Sequence, residues 1–197
     1  MNLAIKFSLA ALLSVATVFG ASAQNFKKGS LDFLKNQSKV KIVFDYSGVT
    51  IDGDSEAAYI KERMADEKTP EDAAKWKADW EGANRTLFEN SLIKYCNDEL
   101  DNLMINKSYT DAAYTIIAKI TDIDPGNYAG PFSNPSKMRA IFQVVKTGEE
   151  NNVLASLELK KIYNPASAMQ PVEYLRINMG FGELGKELGK QIGKVLK

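Results

Sequence analysis

The chemistry open to this chain is set first by what it lacks. Among 197 residues there is no histidine and one cysteine, Cys96. Ser-His-Asp triads, Cys-His pairs and the usual proton shuttle near neutral pH are therefore excluded. So are histidine-based zinc sites, which a single cysteine cannot replace. Any catalysis has to rest on carboxylates, lysine, tyrosine, or a hydroxyl with a lysine base. No cofactor, no metal and no catalytic residue is assigned on this basis.

Two acidic stretches have spacing worth weighing. Asp52-Gly53-Asp54-Ser55-Glu56 places carboxylates at alternate positions, as calcium loops do. It lacks the glycine at the sixth position, and Arg63 stands at the twelfth, where a glutamate is needed. A turn with acids in the first turn of a helix accounts for it. Asp122-Ile123-Asp124-Pro125-Gly126 reads as a strand end and turn. The segment it opens carries Tyr128 and Phe132 among Gly126, Gly130 and Pro131. Aromatic rings on such a loop can stack on a ligand or glycan, or can tuck back onto the sheet edge. Asp124, Tyr128 and Phe132 are the candidate ligand or partner contacts.

A third pattern ends the chain. Glu183-Leu184-Gly185-Lys186, Glu187-Leu188-Gly189-Lys190 and Gln191-Ile192-Gly193-Lys194 repeat with a period of four. On a helix, four residues turn about 400°, so each column slants and forms the ridge that interlocks where helices cross. Gly185, Gly189 and Gly193 make one ridge; Leu184, Leu188 and Ile192 make its neighbour. Three interior glycines cost a helix about 3 kcal/mol relative to alanine. Close backbone approach to a neighbouring element is the compensation expected. A helix from a partner protein and an anionic membrane surface are the other occupants considered. Gly180-Phe181-Gly182, just upstream, is not a nucleotide fingerprint, which needs its glycines between a strand and a helix N-terminus.

The elements that hold these residues follow from periodicity. Residues 38–46, 114–122, 137–146 and 152–162 alternate apolar with polar, as half-buried strands do. Residues 55–68 read as a helix. Thr69-Pro70-Glu71-Asp72 caps a longer helix, predicted from Pro70 to about Met104, whose apolar face includes Trp76, Trp80 and Cys96. A final helix runs from about Pro171 to the end. The order strand, helix, helix, three strands, helix predicts an α+β domain. It comprises a single antiparallel sheet of about four strands, with helices packed on one face. Residues 38–197 form one domain after a flexible segment, 24–37.

Residues 1–23 read as a cleavable secretory signal. Lys6 precedes an apolar run of about 13 residues that ends Ala21-Ser22-Ala23. The run is too short for a bilayer span of roughly 20 residues. No cysteine stands at the cleavage site, so lipid anchoring by that route is not expected. Removing the signal takes away Lys6 alone and leaves a formal charge of about −1, which argues against nucleic acid as a partner. Neither a transmembrane span nor contact with a membrane surface is expected.

The element order and the ending Arg176-Ile177-Asn178-Met179-Gly180-Phe181-Gly182-Glu183-Leu184-Gly185-Lys186 resemble secreted proteins of unknown function from Bacteroidetes-type bacteria. Their α/β domain is similar to the envelope-associated domains of CsgG and the TolB N-terminus. That resemblance implies a periplasmic or secreted, cell-envelope role and brings no catalytic residue with it. The function expected is an exported, non-enzymatic binding or assembly module. One alternative is a carboxylate-dependent hydrolase acting on glycan or peptidoglycan. The other is a structural protein that self-associates through the glycine-ridged helix.

Overall fold

The computed structural model describes residues 26–197; residues 1–23, expected from the sequence to be a signal, lie outside them. Eight strands form one mixed sheet. They are β1 (Phe26–Lys28), β2 (Lys39–Asp45), β3 (Thr50–Ile51), β4 (Asp54–Ser55), β5 (Met104–Asn106), β6 (Tyr114–Asp124), β7 (Lys137–Lys146) and β8 (Val153–Tyr163). The order across the sheet is β1-β8-β7-β6-β2-β5, with β3 pairing the far end of β6 and with β4. The chain is α+β, but the expected antiparallel sheet of about four strands is corrected on two counts.

First, β2 runs parallel to β6, with Ile42 beside Ile116, and β5 runs parallel to β2. Alternation shows which face a residue occupies, not which way its strand runs. A helical connection between two paired strands brings the chain back to the same edge and makes them parallel. Second, β1, β3, β4 and β5 are two or three residues long, too short for any periodic signal. The segment expected to be flexible, 24–37, contains β1, and its Leu31 and Leu34 are buried in the core.

Between β2 and β6 lie α1 (Glu56–Ala65), α2 (Pro70–Asp79) and α3 (Arg85–Asn97). Ser55 caps α1 by accepting from the Ala58 amide at 3.3 Å. Thr69 caps α2 by accepting from the Asp72 amide at 3.1 Å. A π-helical turn, Trp80–Asn84, joins α2 to α3 without a break. The long helix stops at Asn97, short of the predicted Met104. There the Asn97 amide side chain donates to the Ile105 carbonyl at 2.9 Å and accepts from the Ile105 amide at 2.8 Å, holding β5 in place. α4 (Glu173–Leu196) closes the fold.

The core lies between the helices and one face of the sheet. Ile42, Ile116, Ala118, Ile120, Ala140, Phe142, Ala155 and Leu157 point inward and meet Ile177, Phe181, Leu184, Leu188 and Ile192 of α4. Phe88 of α3 stacks on Phe181 with ring centroids 5.2 Å apart. Among the described residues, no helix is long and apolar enough to cross a membrane.

Candidate binding site

At one end of the sheet, β6 passes into the loop 125–134. Gly126 takes a positive φ of 64°, and a Cβ there would sit 2.4 Å from the Asn134 carbonyl oxygen, so the turn needs glycine. Asn127 and Asn134 exchange backbone hydrogen bonds at 3.1 Å in each direction. Inside them, Ser133 donates to the Gly130 carbonyl and accepts from the Ala129 amide, both at 2.8 Å. The loop backbone is thereby fixed while its rings are left out. Tyr128 is 51% exposed and Phe132 81% exposed, so neither tucks back onto the sheet. Asp124 serves the base of the loop: one oxygen accepts from the Gly126 amide at 2.9 Å, the other pairs with Lys137 at 2.8 Å.

A buried arginine ties this loop to the start of α4. Arg176 Nε donates to the Pro125 carbonyl at 3.1 Å, and Nη1 donates to the Gln170 and Pro171 carbonyls, both at 3.0 Å. Nη2 reaches the Gly126 carbonyl at 3.4 Å. Below it, Ser136 donates to the Arg176 carbonyl at 2.6 Å, and the Ser136 amide donates to Ser167 at 3.0 Å. Hydrogen bonds from a charged donor are stronger than neutral ones, and here they weld three segments. α4 has no side-chain cap of its own; just ahead of it, Gln170 Oε1 accepts from the Val172 amide at 3.1 Å.

The welded segments carry a concentration of exposed apolar groups. Tyr128, Phe132, Tyr163, Met169, Val172 and Tyr174 are six of the nine large apolar side chains exposed among the described residues. Single exposed apolar residues are ordinary, but several on segments tied to one buried side chain make a candidate contact surface.

Beside this pole, α1, α2, the π turn and the start of α4 enclose a cleft of about 550 Å³. Trp76, Trp80 and Tyr174 supply its aromatic lining; Arg63, Asp79 and Asn84 are among its polar groups. Trp76 and Trp80 stack with an interplanar angle of 9°. Trp80 is anchored by its indole N–H, which donates to Glu56 at 3.0 Å, and Arg85 pairs with the same carboxylate. Glu173 accepts from the Tyr59 hydroxyl at 2.7 Å and lies 3.5 Å from Arg63. Burial, with the Glu173 carboxylate beside it, pushes the Tyr59 phenol well above its ordinary range. The i, i+4 spacing of Trp76 and Trp80 was legible in the sequence only as a core face. Trp80 is core, but Trp76 is half-buried, and its cleft partners lie about 100 residues away in the chain.

The glycine ridge faces α3 of the same chain. A Cβ on Gly185 would lie 2.1 Å from the Leu92 carbonyl oxygen, and one on Gly189 would lie 2.5 Å from that of Cys96. At Gly193 the corresponding distance, to the Glu99 carbonyl, opens to 3.3 Å. Leu184, Leu188 and Ile192 are buried in the core beside this ridge. The acidic stretch 52–56 is dispersed: Asp54 and Ser55 form β4, and Glu56 turns to Trp80 and Arg85. Among the described residues, no cluster of three or more acidic or cysteine side chains is placed to hold a metal. Cys96 is fully buried, and burial pushes its thiol up.

No family model matches the sequence, and no curated protein does. Two solved structures of the PelC dodecamer from Paraburkholderia phytofirmans are similar in shape. One, a single-residue variant, is 8% identical over 85% of this chain and 93% of that one, with a TM-score of 0.38. The other is 7% identical over 79% and 87%, with a TM-score of 0.35.

Proposed function

We propose that this chain is an exported, non-enzymatic module of a bacterial cell envelope that binds its partner through the loop pole. The observation that carries the reading is the exposure of Tyr128, Phe132 and Met169 on a backbone locked from beneath by Arg176. Rigid aromatic side chains bind at low entropic cost when their loop is already ordered before a partner arrives. The signal pattern over residues 1–23 supports export. The resemblance of the chain ending to envelope-associated secreted proteins supports the compartment.

The test is co-sedimentation of the purified protein with envelope membranes isolated from its native host. Tyr128→Ala with Phe132→Ala should reduce the sedimented fraction to background while the melting temperature stays at the wild-type value. Equal sedimentation of variant and wild type would sink the reading.

A further inference from the structure

We infer that the cleft between α1, α2 and the start of α4 is a binding site for a neutral saccharide. The charges of the cleft cancel locally. Lys75 pairs with Asp79 at 2.6 Å, and Arg63 lies 3.5 Å from Glu173, so no net charge selects for an ion. What remains is aromatic surface beside groups that both donate and accept hydrogen bonds. A sugar ring has that duality: its C–H faces pack on aromatic rings, and its hydroxyls need donors and acceptors in one plane around the rim. Tyr174, 40% exposed, is an aromatic ring that such a ligand can reach. Asn84 and Asp79 supply an amide and a carboxylate on the opposite wall.

One further feature points to a ligand. The wall that contributes Trp80, Ala83 and Asn84 is the π-helical turn. Such turns sacrifice hydrogen-bond geometry and recur at functional sites. The volume, about 550 Å³, lies in the range of small-molecule sites.

The inference adds a ligand class to the envelope-binding reading and is separable from it, because it uses different residues and a soluble probe. Both tryptophans of the chain line the cleft, so intrinsic emission reports on this site alone. The full chain is titrated with chitopentaose, cellopentaose and maltopentaose at millimolar concentration, with calorimetry in parallel. At least one should give a saturable emission change. Tyr174→Ala and, separately, Asp79→Asn should each weaken it by about tenfold at unchanged melting temperature. Silence toward all three probes overturns the inference, as does equal affinity in both variants. A response confined to polygalacturonate, an anionic chain, overturns the neutral class. A protein that is silent here yet sediments with envelopes through Tyr128 and Phe132 loses this site and keeps the pole.

Discussion

Replacing Gly185 by alanine sets two effects of opposite sign against each other, and the structure decides which prevails. In an exposed helix interior the change would add about 1 kcal/mol of stability through helix propensity. In α4 the new Cβ would stand 2.1 Å from the Leu92 carbonyl oxygen, and the obstacle is the backbone of α3, not a side chain that can swing away. The two helices must separate by an ångström or more, opening the seam next to Leu184 and Leu188. Overpacking of this kind costs up to about 3 kcal/mol, so Gly185→Ala should lose about 2 kcal/mol net. Gly193→Ala is the internal control. There the Cβ meets the Glu99 carbonyl at 3.3 Å, a tight contact that a small shift near the end of the helix relieves. That variant should match the wild type or exceed it by up to about 1 kcal/mol. Urea unfolding followed by circular dichroism reads both, as a shift of midpoint at constant slope. In a domain of this size, 2 kcal/mol corresponds to a fall in melting temperature of about 4–8 °C. Should Gly185→Ala be as stable as Gly193→Ala, the packing account of the ridge is wrong.

Arg176→Met should lower stability by about 3 kcal/mol, since four carbonyls, one buried and three part-buried, lose their donor. Arg176→Lys should recover little of it, because a single ammonium cannot fork to four carbonyls in two segments. Hydrogen exchange in residues 125–134 should quicken in both. Cys96 should resist a thiol reagent in the native protein and react fully in denaturant; fast native labelling would contradict its burial. Tyr46 and Tyr59 should drive an alkaline loss of stability. Burial raises both phenols in the folded state, so their contribution is intact below the ordinary value of 10.0 and declines as pH climbs above it. Tyr46→Phe should flatten that decline, and a pH-independent midpoint in the wild type up to the alkaline limit would refute the sign.

How much of this was legible in the sequence follows from which physical signals are local. The long strands β6, β7 and β8 and the inward set Ile116, Ala118, Phe142 and Leu157 follow from alternation alone. The parallel pairing of β2 with β6 does not, because strand direction is fixed by the helical crossover and not by side-chain period. The period-four ridge was visible as a demand for close approach, but its partner, α3, is named only by the fold. Tyr128 and Phe132 were legible as loop aromatics. Their exposure depends on Asn127, Ser133 and Asn134 closing the loop backbone on itself. Arg176 was invisible as a clamp, because all four of its acceptors are backbone carbonyls, which any sequence supplies. The saccharide cleft was hidden for a related reason. It joins Arg63 and Trp76 to Tyr174 across the whole central sheet segment.

Crosslinking in the native host asks whether the loop pole is the surface through which this chain engages the envelope. A photoreactive phenylalanine replaces Phe132 in one strain and Leu87, exposed on α3, in another. A discrete envelope adduct is expected from position 132 and none from position 87. Adducts of equal yield from both positions, or from position 87 alone, would contradict it.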